Sequence, residues 1–168
     1  MKTLYHVSYN PYQPIQSFCP RIPLQRAHGE DRTTPRVCVS TSLEKCLLAS
    51  PYTDELFAKD GYIENREVDL MLHQSNGDEF YGVPFILYTF HAKEEHILSP
   101  EELKEFVPDA LETDEHWITS AISPVSTHYY LLEDAFKKDG TWKYFYRKLT
   151  ESEFTSLVAV DETGFAIY

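Results

Sequence analysis

Val83-Pro84-Phe85-Ile86-Leu87-Tyr88-Thr89-Phe90-His91 is the longest apolar run in the chain, and it sets the kind of fold the rest can build. Pro84 bars a helix interior, and the aromatic and branched residues after it favour a pleated backbone. The run therefore reads as a strand buried on both faces. It falls far below the ~20 apolar residues a bilayer-spanning helix needs, so no membrane segment is expected.

Upstream of that strand, Thr3–Ser8 (TLYHVS) reads as an opening strand. Asn10–Pro23 carries four prolines and must be irregular. Arg36–Ser40 (RVCVS) is a second strand, after which Thr41 or Ser42 caps a short helix through Leu48, ending before Pro51. Asp54–Met71 is ambiguous between loop and weak strand, with Gly61 interrupting it.

Downstream, Ser99-Pro100-Glu101-Glu102 has the cap, first-turn proline and early acids of a helix start, leading to Phe106. His116–Ala121 and Thr127–Leu132 read as strands separated by the Ser123-Pro124 turn. Asp139-Gly140 turns the preceding segment into Thr141–Leu149 as a hairpin, and Leu157–Val160 meets Phe165–Tyr168 across Asp161–Gly164 as another. Strands at both ends with few, short helices give an α+β fold, mostly antiparallel. At 168 residues, with no linker or repeat, a single domain spanning residues 1–168 is expected.

Charge narrows the partners. The net of −12 disfavours nonspecific binding to nucleic acid or anionic membrane. Residues 1–43 run against that total, with five Lys/Arg to two Asp/Glu. Four of the six arginines fall between Arg21 and Arg36, a stretch suited to an anionic ligand, because the planar guanidinium matches phosphate and carboxylate oxygens. Cys19, Cys38 and Cys46 are odd in number and lack CxxC spacing, which argues against disulfides and a cysteine zinc site. Ordinary thiols and the lack of a charged-then-apolar leader point to a cytoplasmic protein. His91 and His96 have no matching ligand cluster, so no metal is expected. Phosphate-binding Gly-rich loops and a GxSxG elbow do not occur.

Three short segments stand in a telling order: His6 within Leu4-Tyr5-His6-Val7-Ser8, then Ser40-Thr41-Ser42 where the second strand hands over to a helix, then Glu115 in Thr113-Asp114-Glu115-His116-Trp117-Ile118. Over these segments the chain resembles the ADP-ribosyltransferase superfamily. The resemblance implies an ADP-ribosyltransferase-like split β-sheet and cleavage of the nicotinamide glycosidic bond of NAD, which is substrate rather than resident cofactor. ADP-ribose would pass to a protein or nucleic-acid acceptor. Carried over by position, His6 would hydrogen-bond a ribose hydroxyl, Ser40 and Thr41 would support the nicotinamide pocket, and Glu115 would stabilise the oxocarbenium-like cation. Ser8 and Ser42 complete the ligand-binding set. On electrostatic grounds alone, Arg21, Arg32 and Arg36 would hold the pyrophosphate.

The pattern is mixed relative to that superfamily. An opening His usually accompanies a Tyr in the second strand, and Ser-Thr-Ser an opening Arg. Thr113 stands where many transferring members have Glu or Gln, so NAD hydrolysis stays open beside transfer. Each residue also has a plainer reading. His6 can be structural, Ser40-Thr41-Ser42 a helix cap, Glu115 part of an acidic loop, and the arginines partners of Glu30 and Asp31. The alternative function is a small acidic interaction or inhibitor protein that presents its charge to a basic surface without catalysis.

Overall fold

A computed structural model of the chain describes residues 1–9, 14–24, 28–50, 73–75, 78–80 and 83–159. In chain order they form β1 (Lys2–Ser8), β2 (Val37–Val39), α1 (Leu43–Ala49), β3 (His73–Ser75), β4 (Asp78–Phe80), β5 (Val83–Ala92), a 3₁₀ turn (Glu94–His96), β6 (Ile97–Leu98), α2 (Pro100–Leu103), α3 (Ala110–Thr113), β7 (His116–Ile118), β8 (Ser126–Lys138), β9 (Thr141–Leu149) and α4 (Glu151–Ala159). The strands form sheets in the orders β1-β5-β8-β9, β2-β7-β6 and β3-β4. The pairs β2–β7, β6–β7, β3–β4 and β8–β9 are antiparallel, so the α+β reading holds.

The chain divides into two compact units: Met1–His6, Ile15–Ala49 and Tyr88–Thr127 form the first, and Val7–Pro14, Ser50–Leu87 and His128–Tyr168 the second. In the first, Leu103, Val107, Ala110 and Trp117 make a buried cluster, with Cys38 and Leu98 packed against it. A helix start with reciprocal caps feeds that cluster. The Ser99 backbone N–H donates to Glu102 Oε2 (2.8 Å), which sets α2 where the Ser-Pro-Glu-Glu pattern predicts it.

Aliphatic and aromatic side chains share the interior of the second unit, with Val83, Ile86, Leu87, Leu131 and Leu132 buried beside Phe85 and Phe154. Phe85 stacks on Tyr130 with centroids 5.4 Å apart, and Tyr9 and Tyr146 meet Phe85 edge-on. The β8–β9 hairpin is longer than the sequence suggests, running with a bulge between Leu132 and Asp134. Its turn is Asp139-Gly140, both at positive φ (52° and 76°), the two-residue primed turn whose twist matches the strands.

β5 bears out its apolar run only in part. Residues 83–88 are all buried, after which Thr89 is half-buried and His91 exposed, so the strand ends with one solvent-facing side. The β3–β4 pairing escaped the sequence reading, although an Asn76-Gly77 pair stands between the two strands.

One expectation is overturned. Leu157 to Ala159 belong to helix α4 and not to a strand. The Thr150 N–H donates to Glu153 Oε2 (2.7 Å) and the Glu153 N–H to Thr150 Oγ1 (3.1 Å), a capping box that starts a helix before branched residues can favour a strand. Phe154 then buries against the Tyr129 ring at 4.7 Å. The rest of that expected hairpin, Val160 to Tyr168, and the ambiguous Asp54–Met71 lie outside the described residues.

Candidate functional site

β2 is the organiser of the first unit's polar residues. The Tyr5 N–H donates to the Ser40 carbonyl (2.8 Å) and the Ser40 N–H to the Tyr5 carbonyl (3.0 Å), so the strand holding His6 neighbours the one that runs into Ser40. On its other side β2 pairs with β7, Val39 opposite His116. Glu115 directly precedes β7 and Ser40 directly follows β2, so the antiparallel register brings both to the same end of the pair. The three segments converge, as their order predicts.

His6 Nδ1 lies 2.8 Å from the Cys38 carbonyl, so that nitrogen carries the proton and Nε2 is the acceptor. The Phe18 ring meets the imidazole edge-on at 5.3 Å and Tyr88 lies at 6.3 Å. Burial holds the His6 pKa below the usual histidine range; the Cys38 carbonyl opposes this, and the positive charge of Arg21 adds to it. Phe18 is fixed by a two-way backbone bridge to Ile122 (2.7 and 3.0 Å).

The hydroxyls of the Ser40-Thr41-Ser42 turn are all engaged. Ser40 Oγ donates to the Thr113 carbonyl (3.2 Å), the Thr41 hydroxyl and N–H both donate to Asp114 Oδ2, and Ser42 Oγ accepts from the Lys45 N–H (3.2 Å) as the cap of α1. Asp114 can take this place because it closes α3 in the left-handed conformation (φ 52°). Its carbonyl accepts from His116 Nδ1 (2.8 Å), and Lys2 Nζ donates to His116 Nε2 at 2.6 Å. Desolvation lowers the pKa of this buried histidine; the Asp114 carbonyl works against that, and the Lys2 charge reinforces it.

Glu115 is half-buried, and its Oε1 accepts a 2.6 Å hydrogen bond from Trp117 Nε1. Burial raises its pKa, while donation from Trp117 and from the Cys38 thiol opposes the rise; the negative charges of Glu30 and Asp109 add to it. The Cys38 thiol is pushed far up by burial and by the Glu115 charge, which opposes the thiolate form. Cys46, whose thiol donates to the Tyr5 carbonyl (3.2 Å), is raised by burial to about 12.

The arginines divide. Arg36 has its side chain fully inside, paired to Glu30 through Nη2 and to Asp31 through Nη1 (3.5 Å), with Nη1 also donating to the Thr34 carbonyl (3.0 Å). Its guanidinium carbon sits 3.9 Å from the Trp117 ring centroid. Of the two readings of the arginine stretch, Arg36 therefore follows the internal one, with the chain's own carboxylates as its anions. Arg21 and Arg32 expose their side chains, and Arg21 is anchored by backbone bonds to Arg36 (3.0 and 3.2 Å). Ser8 belongs to the second unit.

Sequence reasoning did not foresee the contacts that Trp117, Asp114 and Phe18 make. Trp117 had a signal, since residues i and i+2 of a strand share a face and the indole can reach back to Glu115. Phe18 had none. No group of three or more His, Cys, Asp or Glu side chains among the described residues is placed to hold a metal ion, and no described helix is long and apolar enough to cross a membrane. No protein-family model matches the chain, and neither a curated protein nor a solved structure does.

Proposed function

We propose that the first unit is an ADP-ribosyltransferase-like module, which binds NAD, cleaves its nicotinamide–ribose bond and passes ADP-ribose to a protein or nucleic-acid acceptor in the cytoplasm. The observation that carries this reading is the double pairing of β2, to Tyr5 on one side and to β7 on the other, which gathers His6, Ser40, Thr41 and Glu115. His6, neutral with Nε2 as acceptor, is suited to receive a ribose hydroxyl. Glu115 supplies the carboxylate that an oxocarbenium-like transition state requires. Ser40, Thr41 and Ser42 act as the frame of the pocket through their turn. Arg21 and Arg32, being exposed, are the cations left for a pyrophosphate.

Incubation with NAD, followed by mass spectrometry for nicotinamide and for ADP-ribose on acceptors, tests the reading. Nicotinamide with an adduct indicates transfer, and nicotinamide with free ADP-ribose indicates hydrolysis, the activity that Thr113 in place of Glu or Gln favours. The second reading is a noncatalytic acidic interaction protein. It is supported by the internal engagement of Arg36 and of all three Ser-Thr-Ser hydroxyls, which then act as structure alone. It requires that no nicotinamide be released.

A further inference from the structure

We infer that Trp117 is the positioning residue for Glu115, and that Arg36 serves the site by locking the Trp117 ring rather than by touching ligand. The inference rests on the ADP-ribosyltransferase-like reading only for what Glu115 does, not for how it is held. Three observations carry it. First, the indole N–H donates to Glu115 Oε1 at 2.6 Å, and an indole nitrogen can only donate, so the contact favours the ionised carboxylate. Second, Trp117 is 1% exposed within the Leu103, Val107 and Ala110 cluster, so the donor cannot swing away. Third, the Arg36 guanidinium lies over the ring at 3.9 Å and is itself held by Glu30, Asp31 and the Thr34 carbonyl.

A glutamate with three rotatable side-chain bonds has many orientations, and a carboxylate acting on a developing cation works only when fixed. The Arg36–Trp117–Glu115 stack supplies that fixity from inside the protein. It also explains why an arginine is buried here. A planar cation covers an indole face and still reaches two carboxylates, which lysine cannot do as well. The groups that bear on the Glu115 carboxyl are the Cys38 thiol from β2, Glu30 and Asp109 from the segments before β2 and α3, and Trp117 on β7. Any titration felt by the indole must therefore be separated from that of Glu30 and Asp109.

The test uses the indole proton as reporter. The chain has only two tryptophans, so in ¹⁵N-labelled protein Trp142→Phe identifies the Trp117 Nε1–H resonance by elimination. That resonance is expected to shift with pH along one inflection above the ordinary glutamate range in the wild type, and to lose it in Glu115→Gln. An inflection that persists in Glu115→Gln belongs to Glu30 or Asp109 and overturns the inference, as does a flat wild-type profile. This readout needs no turnover, so failure of the positioning contact and failure of the enzymatic reading are told apart. Where nicotinamide release is present, Trp117→Phe should lower kcat roughly tenfold at neutral pH with KM for NAD unchanged and move the acid limb upward, the sign expected when a donor to the charged form is lost. Unchanged kcat and pH profile in a folded Trp117→Phe protein would equally overturn it.

Discussion

The two units solve the problem of an interior differently. Arg36, Ser40, Thr113 and His116, the buried polar or charged residues among those described, all lie in the first unit. The buried side chains described in the second unit are mainly apolar, among them Phe85, Ile86, Leu131, Leu132 and Phe154, and its one described ion pair, Arg147 with Glu133 at 2.9 Å, is at the surface. Buried polar groups lose water, and hydrogen bonds offset that cost.

Removing an arginine from each unit tests this contrast most severely. Arg36→Ala leaves Glu30 and Asp31 without their cation and uncovers Trp117, and should cost about 3–5 kcal/mol in denaturant unfolding. Arg147→Ala breaks an exposed pair and should cost roughly 0–1 kcal/mol. Equal losses would erase the distinction between the units. Next in size is Glu115→Gln, which keeps shape and the contact to Trp117 but removes charge. Nicotinamide release should fall about 10²–10³-fold with NAD affinity retained, the scale of lost preorganised stabilisation. Turnover unaffected by this change would take Glu115 out of the mechanism.

Arg21→Ala and Arg32→Ala sharpen the comparison inside the first unit, because these side chains are exposed where Arg36 is not. Each should weaken NAD binding by roughly 1.5–3 kcal/mol in calorimetry while leaving stability intact, with partial recovery in the lysine variants. If neither affects affinity, the exposed arginines serve another partner.

The smallest effect is acid sensitivity. His6 and His116 have folded pKa values below the ordinary 6.5, so below that pH the unfolded chain binds more protons than the folded one. Their stabilisation is present above 6.5 and is lost as pH falls toward the folded values, at no more than about 1.4 kcal/mol per pH unit for each histidine. Glu115 acts oppositely. Its folded pKa is raised above 4.5, so its contribution grows as pH falls through that window. Unfolding curves of His116→Gln against wild type between neutral and mildly acidic pH should therefore converge as pH drops. Parallel curves would show that His116 is not held neutral.

Much of this was legible along the chain because the deciding forces are local. The Ser99 cap, the Asp139-Gly140 turn and the β5 run depend on neighbours a few residues away, and their positions agree with the structure. Leu157 to Ala159 failed for the same kind of reason: the Thr150–Glu153 cap was also local, but branched residues drew the reading toward a strand. The candidate site was legible as order and not as contacts. His6, Ser40 and Glu115 are visible in sequence, yet whether an arginine faces solvent or its own carboxylates depends on packing that no spacing encodes.

The sequence by itself therefore determined the α+β class, the Ser99 cap and the Asp139-Gly140 turn, since propensity and periodicity act over a turn or a strand. Only the tertiary structure decided that Arg36 is internal, that the Ser-Thr-Ser hydroxyls are engaged by Thr113, Asp114 and Lys45, and that Trp117 holds Glu115. Those outcomes join residues up to 81 positions apart, as Arg36 and Trp117 are. Burial and hydrogen-bond satisfaction across such separations are properties of the folded interior alone.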